Sequence, residues 1–209
     1  PDTSGPNGES GYTASAIPNS DGWNTYVSNQ DVGWEGVGTQ TLSATSASNW
    51  QVVSDIGPCG GCVQTFPNTQ QLFDNWGAGG WNGKANPPLS ALSALKVDYA
   101  ETSPGGSANA YEFAADIWQQ GYESDVMFWV DTNGRCHDTD GPDGGVLGHF
   151  SMDGQTWTAH RYGGAGAEII LVLDGPGGPG TCAQQSSGTI DIKGGMEWLA
   201  SHGFIPSAP

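Results

Sequence analysis

The chain falls into short runs of alternating polar and apolar residues, separated by Gly, Pro, Asn and Asp. Such period-two patterning predicts strands, because strand side chains point alternately to the two faces of a sheet. The most informative run is YEFAADIWQQGYESDVMFWV, residues 111–130. It reads as two strands joined by a turn near Gln120 and Gly121. On the first, Phe113, Ala115 and Ile117 share one face, and Ala114, Asp116 and Trp118 share the other. On the second, Val126, Phe128 and Val130 oppose Glu123, Asp125, Met127 and Trp129. One face of this hairpin is apolar and is predicted to pack inward. The other mixes three carboxyls with a Met and two Trp. A core strand does not place Asp and Glu among Trp, and a solvated face does not carry two Trp. The mixture suits a groove that holds a sugar ring and performs acid chemistry on it. The alternative is an exposed face with incidental aromatics.

Along the rest of the chain, residues 1–20 are rich in Ser, Gly, Pro and Asn and are expected to form a loose arm. Strands are predicted at 24–29, in GTQTLSA, at 50–54, and at 63–68, where Pro67 marks a strand end or an edge. Residues 74–90 form a long Gly/Pro/Asn loop carrying Trp76 and Trp81. Within 89–101 a short helix is conceivable from the Leu spacing, but an alternating strand over 95–100 fits better. Asp153-Gly154 between GHFSM and TWTAHRY signals a hairpin with a type I′ turn. The apolar run over 167–173 predicts a buried strand, and 189–192 a further short one. GPGGPG at 175–180 is a loop, not a dinucleotide fingerprint, because no helix follows it. Residues 195–202 are the one clear helix, stopped by Gly203 and Pro206. There is no internal repeat, and 209 residues suit a single domain spanning 1–209, or at most two small ones, with a real core.

Composition sharpens this. Gly at 34 and Pro at 13 fit an all-β sandwich or barrel with many turns. A net charge of −17 with only 5 Lys plus Arg argues against nucleic acid and anionic membranes as partners, since both require cationic patches. No apolar run is long enough to span a membrane. A neutral polymer fits, and nine Trp supply faces that stack on sugar rings, although about half are expected in the core. The C-x-x-C of Cys59 and Cys62 admits a redox, zinc or small-disulfide reading. No second C-x-x-C and no βαβ pattern accompany it. Two structural disulfides are the simplest outcome, Cys59 with Cys62 and Cys136 with Cys182, out of three possible pairings. They fit a secreted protein, as does a start at Pro1 that looks like a processed or trimmed end. Asp138, Asp140 and Asp143 raise calcium, but their spacing departs from an EF-hand loop and a solvated acidic loop fits better. No metal and no organic cofactor is expected.

At the central hairpin the sequence resembles glycoside hydrolase family 12, small endo-β-1,4-glucanases and xyloglucan hydrolases. The family's nucleophile strand reads Glu, aliphatic, Met, apolar, Trp; the frame here is Asp125, Val126, Met127, Phe128, Trp129. The preceding family strand carries Asp-Ile-Trp, matched by Asp116, Ile117 and Trp118. YVSNQDVGW resembles the family's first cleft strand, VQTFPN its next signature strand, and the hairpin with Trp157 and the IDIKGGMEWLASHG segment follow in family order. The resemblance covers about residues 24–205. It implies a jelly-roll β-sandwich of two antiparallel sheets, concanavalin-like, with a concave cleft and one short helix near the C-terminus. It further implies Asp125 as nucleophile, Asp116 as its orienting partner, and Asn29, Trp34, Trp118, Met127 and Trp129 as sugar contacts. Two features depart from the family. The nucleophile position holds Asp rather than Glu, and the family's acid/base Glu lies on a strand after the helix, whereas this sequence stops at Pro209. Glu197 on the helix and Glu35 beside Trp34 are poor substitutes, so an absent or separately supplied segment is expected to carry the acid/base.

Two-carboxylate hydrolysis sets the geometric demand. Retaining enzymes hold the carboxyls about 5–5.5 Å apart and inverting ones about 6.5–9.5 Å. Asp at the nucleophile position withdraws the carboxylate by about 1.5 Å relative to Glu, and an error of about 1 Å costs on the order of 100-fold in rate. Glu123, two residues before Asp125 on the same face, is a displaced carboxyl candidate. Asp116 and Asp125 are expected to face each other across the hairpin, where two close carboxyls do not both ionise readily. The sequence therefore predicts a secreted, monomeric, β-glucan-active protein, an endo-acting glycosidase cleaving β-1,4-glucan or xyloglucan. The alternatives are a non-catalytic polysaccharide-binding or cell-wall protein on the same fold, and a structural module with a vestigial cleft.

Overall fold

The computed structural model describes residues 2–4, 10–18, 24–30, 38–46, 48–57, 65–72, 88–104, 110–118, 125–134, 145–162 and 168–206. They form thirteen strands and one α-helix, grouped in two compact units, 1–87 and 88–209.

In the first unit, β1 (Asp2–Ser4), β2 (Ser10–Pro18), β3 (Asn24–Gln30) and β6 (Phe66–Leu72) form an antiparallel sheet in the order β1-β2-β3-β6. β4 (Gly38–Ser46) and β5 (Asn49–Ile56) form a separate antiparallel hairpin. The N-terminal arm expected from composition is therefore corrected: residues 2–4 and 10–18 are strands. In SGYTASAIP, Tyr12, Ala14 and Ala16 alternate with small polar residues, a pattern that the Ser and Gly content obscures, and pairing with β3 satisfies the backbone. Pro67 lies on β6 at a sheet edge, where its missing N–H costs least.

In the second unit a single 3-10 turn at Leu89–Ala91 precedes β7 (Lys96–Ala100). The strand reading of this stretch holds, and β7 pairs antiparallel with β13 (Ser187–Asp191). The larger sheet contains β8 (Tyr111–Trp118), β9 (Asp125–Asn133), β10 (Gly145–Met152), β11 (Gln155–Arg161) and β12 (Ile169–Leu173), in the order β10-β11-β12-β9-β8. All its pairs are antiparallel except β12 with β9, which is parallel. β12, IILVL, is buried along its whole length, as a central strand covered on both sides should be. The predicted type I′ turn joins β10 to β11, with Asp153 at φ 50° and Gly154 at φ 78°.

One face of this sheet builds the main core. Val126, Phe128, Val130, Trp157, Ala159, Ile169 and Leu171 meet Ile190 of β13 and the buried stripe Ile192, Met196 and Leu199 of α1 (Ile192–Ser201). The helix starts three residues earlier than the sequence pattern suggests. Asp191 accepts the Gly194 N–H at 3.1 Å and caps it, although the IDIKGG segment has poor helix propensity. It ends in a Schellman arrangement: Phe204 N–H reaches Leu199 O at 3.0 Å, Gly203 N–H reaches Ala200 O at 3.1 Å, and Gly203 has φ 73°. Trp198 stacks on Phe150 of β10 at 4.4 Å, and Gly148 leaves room for it.

A bulge near the end of β9 places two of its residues against one step of β8, since Phe113 pairs with Asp131 and Ala114 with Trp129. The bulge turns Asp131 toward the Phe113 side. There it is fully buried and accepts hydrogen bonds from Ser103 Oγ at 2.8 Å and Tyr111 Oη at 3.2 Å. Glu101 joins it, and burial together with the Asp131 carboxylate pushes its carboxyl up to about 8.

Two outcomes follow from this packing. A Cβ on Gly195 would collide with the fully buried Phe128 ring and lie 3.0 Å from Leu171. Gly195→Ala is therefore expected to lose about 1–2 kcal/mol net, the overpacking outweighing the helix propensity gained, read as a drop in Tm or denaturation midpoint. Glu101 keeps its proton in the folded state well above its ordinary 4.5. Its contribution is complete below that value and is lost as pH rises through about 8. Thermal stability should fall between pH 5 and 8, and Glu101→Gln should flatten that slope in scans across the range.

Candidate active site

The opposite face of the five-stranded sheet carries the acids and aromatics of the central hairpin. The alternation that sends Val126 and Phe128 into the core sends Asp125, Met127 and Trp129 outward, and β8 adds Ala114, Asp116 and Trp118. The register gives transverse rows across the strands. Trp118 pairs with Asp125. Asp116 lies in line with Met127, Ile170 and His160, and Ala114 in line with Trp129, Val172 and Thr158.

Asp116 and Asp125 share this face, but the expectation that they stand directly opposite is corrected. They are diagonal neighbours, because Trp118 occupies the position opposite Asp125. The diagonal is still within reach, and the Asp116 carboxylate acts directly on Asp125. Asp125 holds the shared proton. Burial comes first, and then the adjacent Asp116 carboxylate and the more distant Glu168, which together push its carboxyl up to about 9. Trp118 donates its indole N–H to Asp116 Oδ2 at 3.1 Å, which fixes the acceptor of the pair. Asp125 Oδ1 is buried and has no hydrogen-bond partner among the described residues.

The aromatic calls divide. Trp118 is 54 % exposed and presents its ring beside the carboxyl pair, while Met127 is half-buried. Trp129 is 7 % exposed, packs with Ile170 and Val172, and directs its N–H at Met127 Sδ, 3.4 Å away. The residues next to it on β12 are large and apolar, a neighbourhood that β9 alone does not reveal. Asn29 lies on β3 with its backbone paired to Pro67. Trp34, Glu123, Cys59, Cys62 and Cys136 lie outside the described residues, as do Trp76, Trp81, Asp138, Asp140 and Asp143. Cys182 is disulfide-bonded. Glu197 lies on α1, which packs on the core face, and pairs with Lys193 at 3.4 Å.

Glu168 escaped the sequence reading. It immediately precedes β12, whose parallel register sets Ile169 beside Val126. One step back along both strands, Glu168 falls beside Asp125. It is half-buried, and burial first, then Asp116 and Glu112, hold its carboxyl above the usual range. The available signal was a lone Glu at the head of the apolar run AEIILVL.

Among the described residues no group of three or more His, Cys, Asp or Glu has metal-binding geometry. An open depression of about 470 Å³ lies at the far end of β12, lined by Gln155, Asp174, Pro176 and Gln185 among others. Its one carboxyl, Asp174, accepts Thr158 Oγ1 at 2.7 Å and the Gly180 N–H at 3.1 Å on Oδ1, while Oδ2 is buried without a partner among the described residues. That end pins the 175–180 loop and carries no paired acids.

The architecture, mostly β-strands in sheets with one short helix near the C-terminus, is that of the family 12 glycoside hydrolase jelly rolls. The chain superposes on the endoglucanase Cel12A from Rhodothermus marinus with a TM-score of 0.69, at 17 % identity over 93 % of this chain and 84 % of that one. A native family 12 xyloglucanase from Bacillus licheniformis gives 0.63 at 18 % identity, over 93 % and 86 %. A metagenome-derived family 12 endoglucanase gives 0.68 at 17 %, over 93 % and 83 %. No family model and no curated protein sequence matches the chain.

The carboxyl pair generates a stability prediction. A carboxyl whose folded value is raised from 3.8 to about 9 stabilises the fold fully at low pH and loses that contribution as pH rises through 9. Asp125→Asn supplies an uncharged N–H donor to Asp116 at every pH. The variant is expected to match or exceed the parent Tm at pH 8–9 and to lose that advantage at pH 4, by calorimetry at both ends.

Proposed function

We propose that this chain is a secreted, monomeric glycoside hydrolase that cleaves β-1,4-glucan or xyloglucan within the polymer, with Asp125 as nucleophile and Asp116 as its orienting partner. One observation carries the reading: an Asp116–Asp125 carboxyl pair on neighbouring strands beside an exposed Trp118, on the face of the sheet opposite the main core, in a fold that is that of family 12 endoglucanases. The net charge of −17 favours a neutral polysaccharide over nucleic acid or an anionic membrane surface.

The chemistry starts from the shared proton. With Asp125 protonated, its carboxyl is a poor nucleophile. Passing the proton to Asp116 frees a carboxylate at Asp125 without changing the charge of the pair. That oxygen attacks the anomeric carbon as the glycosidic bond breaks, and the departing oxygen takes a proton from a second acid. Water then cleaves the glycosyl ester and returns the nucleophile. Trp118 serves as a sugar platform and, through its N–H, as the anchor of Asp116.

A second reading has its own support. Asp125 is one methylene shorter than Glu and rests protonated, which favours a protein that binds the glucan without cleaving it. Reducing-sugar release from soluble β-glucan and xyloglucan over pH 4–7 separates the two. The hydrolase reading expects turnover that falls by at least about 1,000-fold in Asp125→Asn, the scale of losing an activated nucleophile. Retardation on glucan-containing gels without any turnover would establish the binding protein instead.

A further inference from the structure

We propose that Tyr162, with Val146 at its side, is a second sugar platform, which holds a neutral glucan chain across the strands from β8 to β11. The assignment rests on the glucan reading above and is the same for a hydrolase and for a protein that only binds.

The exposed apolar side chains supply the first observation. Among the described residues of 88–209, the large hydrophobics most open to solvent are Val97, Trp118, Val146 and Tyr162. Val97 belongs to the separate β7–β13 pair. The other three share one face of the five-stranded sheet. Trp118 pairs with Asp125 and Val146 with His160. The Tyr162 N–H reaches the Glu168 carbonyl at 2.9 Å, one step beyond the Arg161–Ile169 pair. Val126, Trp157, Ala159 and Ile169 point into the core, so alternation turns Asp125, His160, Tyr162 and Glu168 to the opposite face. Scattered singly, exposed hydrophobics would need no explanation. Here the two aromatics stand at the two ends of one row.

The register decides where on this face a chain rests. Three transverse rows cross the sheet. The first runs Trp118, Asp125, Glu168, Tyr162, the second Asp116, Met127, Ile170, His160, and the third Ala114, Trp129, Val172, Thr158. The third row is closed, with Val172 3 % and Thr158 0 % exposed, and in the second Ile170 and His160 are buried. The first row carries Trp118 at 54 % and Tyr162 at 46 %. A ligand therefore lies along the first row, with the exposed Asp116 beside it.

Spacing and chemistry then define the ligand. Neighbouring strands lie about 4.8 Å apart, so three steps from β8 to β11 set the two aromatic residues about 14 Å apart. That separation exceeds a disaccharide and suits a chain of several β-linked sugars. The C–H face of a pyranose ring packs on an aromatic face, and its hydroxyls point sideways to acceptors in the same row. Asp125 and Glu168 stand between the platforms. Carboxyls bind hydroxyls and repel uronate or phosphate groups, as does a net charge of −17. Both platforms are held in place. Trp118 donates its N–H to Asp116 Oδ2 at 3.1 Å, and the Tyr162 backbone is fixed by the Glu168 carbonyl. Val146, diagonal to Tyr162 across β10 and β11, widens the apolar end.

Chain-length dependence tests the assignment. Calorimetric titration of the parent protein should show cellohexaose bound more tightly than cellobiose. Tyr162→Ala should weaken cellohexaose by about tenfold, the scale of a lost aromatic stack with its buried area, and should bring the two sugars close to equal affinity. Tyr162→Phe and Tyr162→Trp keep a ring and should keep the parent's preference for the longer sugar. All three should melt with the parent, because the side chain is on the surface. In reducing-sugar assays on soluble β-glucan, Tyr162→Ala should raise KM and leave kcat unchanged, the signature of binding shared by ground and transition states. Cellohexaose bound by Tyr162→Ala as tightly as by the parent overturns the platform and leaves the glucan reading at Asp125 and Trp118 standing. Equal weakening in Tyr162→Phe and Tyr162→Ala overturns the stacking role. A parent protein that neither binds nor cleaves cellohexaose, β-glucan or xyloglucan overturns both readings.

Discussion

The parallel pairing of β9 with β12 is the constraint on which the larger unit depends. It lies inside a sheet that is otherwise antiparallel, and its two strands alternate in phase. One set of positions, Val126, Phe128, Ile169 and Leu171, closes the core against α1 and β13. The other set presents Asp125, Met127, Glu168 and Ile170 to the opposite face. A slip of one residue in this register would turn one strand over, burying its carboxyl and exposing its two core side chains, so the fold enforces the site's geometry at no separate cost.

The same pairing produces a strained electrostatic arrangement. Carboxyls accumulate on the face of a half-buried sheet with few cations to offset them. The free energy of holding them together appears as a carboxyl pushed up to about 9 at Asp125 and one shifted upward at Glu168, burial being the first cause in both. At the other end of β9 the bulge builds a second proton-retaining pair, Glu101 with Asp131, which is tied down by Ser103 and Tyr111. Both pairs make the folded state prefer acid. The two clusters differ in what surrounds them. Asp131 is sealed and fully hydrogen-bonded, as a structural acid should be. Each pair keeps one buried oxygen without a partner among the described residues, Glu101 Oε1 and Asp125 Oδ1, and Asp125 differs in lying next to an exposed indole.

Much of this was legible in the residues. Period-two alternation located both strands of the central hairpin and assigned their faces. Asp153-Gly154 located a type I′ turn, and Gly203 the end of the helix, because local backbone chemistry dictates them with little help from the rest of the chain. The Asp116 and Asp125 frame was visible for the same reason, since the two strands are neighbours in sequence. Helix onset was read late because capping by Asp191 and packing of Met196 and Leu199 override the weak propensity of two glycines and β-branched neighbours. Residues 2–4 and 10–18 were read as loose because Ser and Gly hide a strand pattern that only pairing reveals.

What the sequence by itself determined is the content of each strand: which side chains share a face, where the turns fall, and that acids and aromatics occur together on one of them. Tertiary structure decided which strands are neighbours. It set Glu168 beside Asp125 from more than forty residues away along the chain. It moved Asp116 to the diagonal through a register that the turn alone does not specify, and it buried Trp129 against Ile170 and Val172. The physical reason is that alternation is a property of one strand. Register and sheet order come from the sum of contacts across the sheet, and no single segment carries that information.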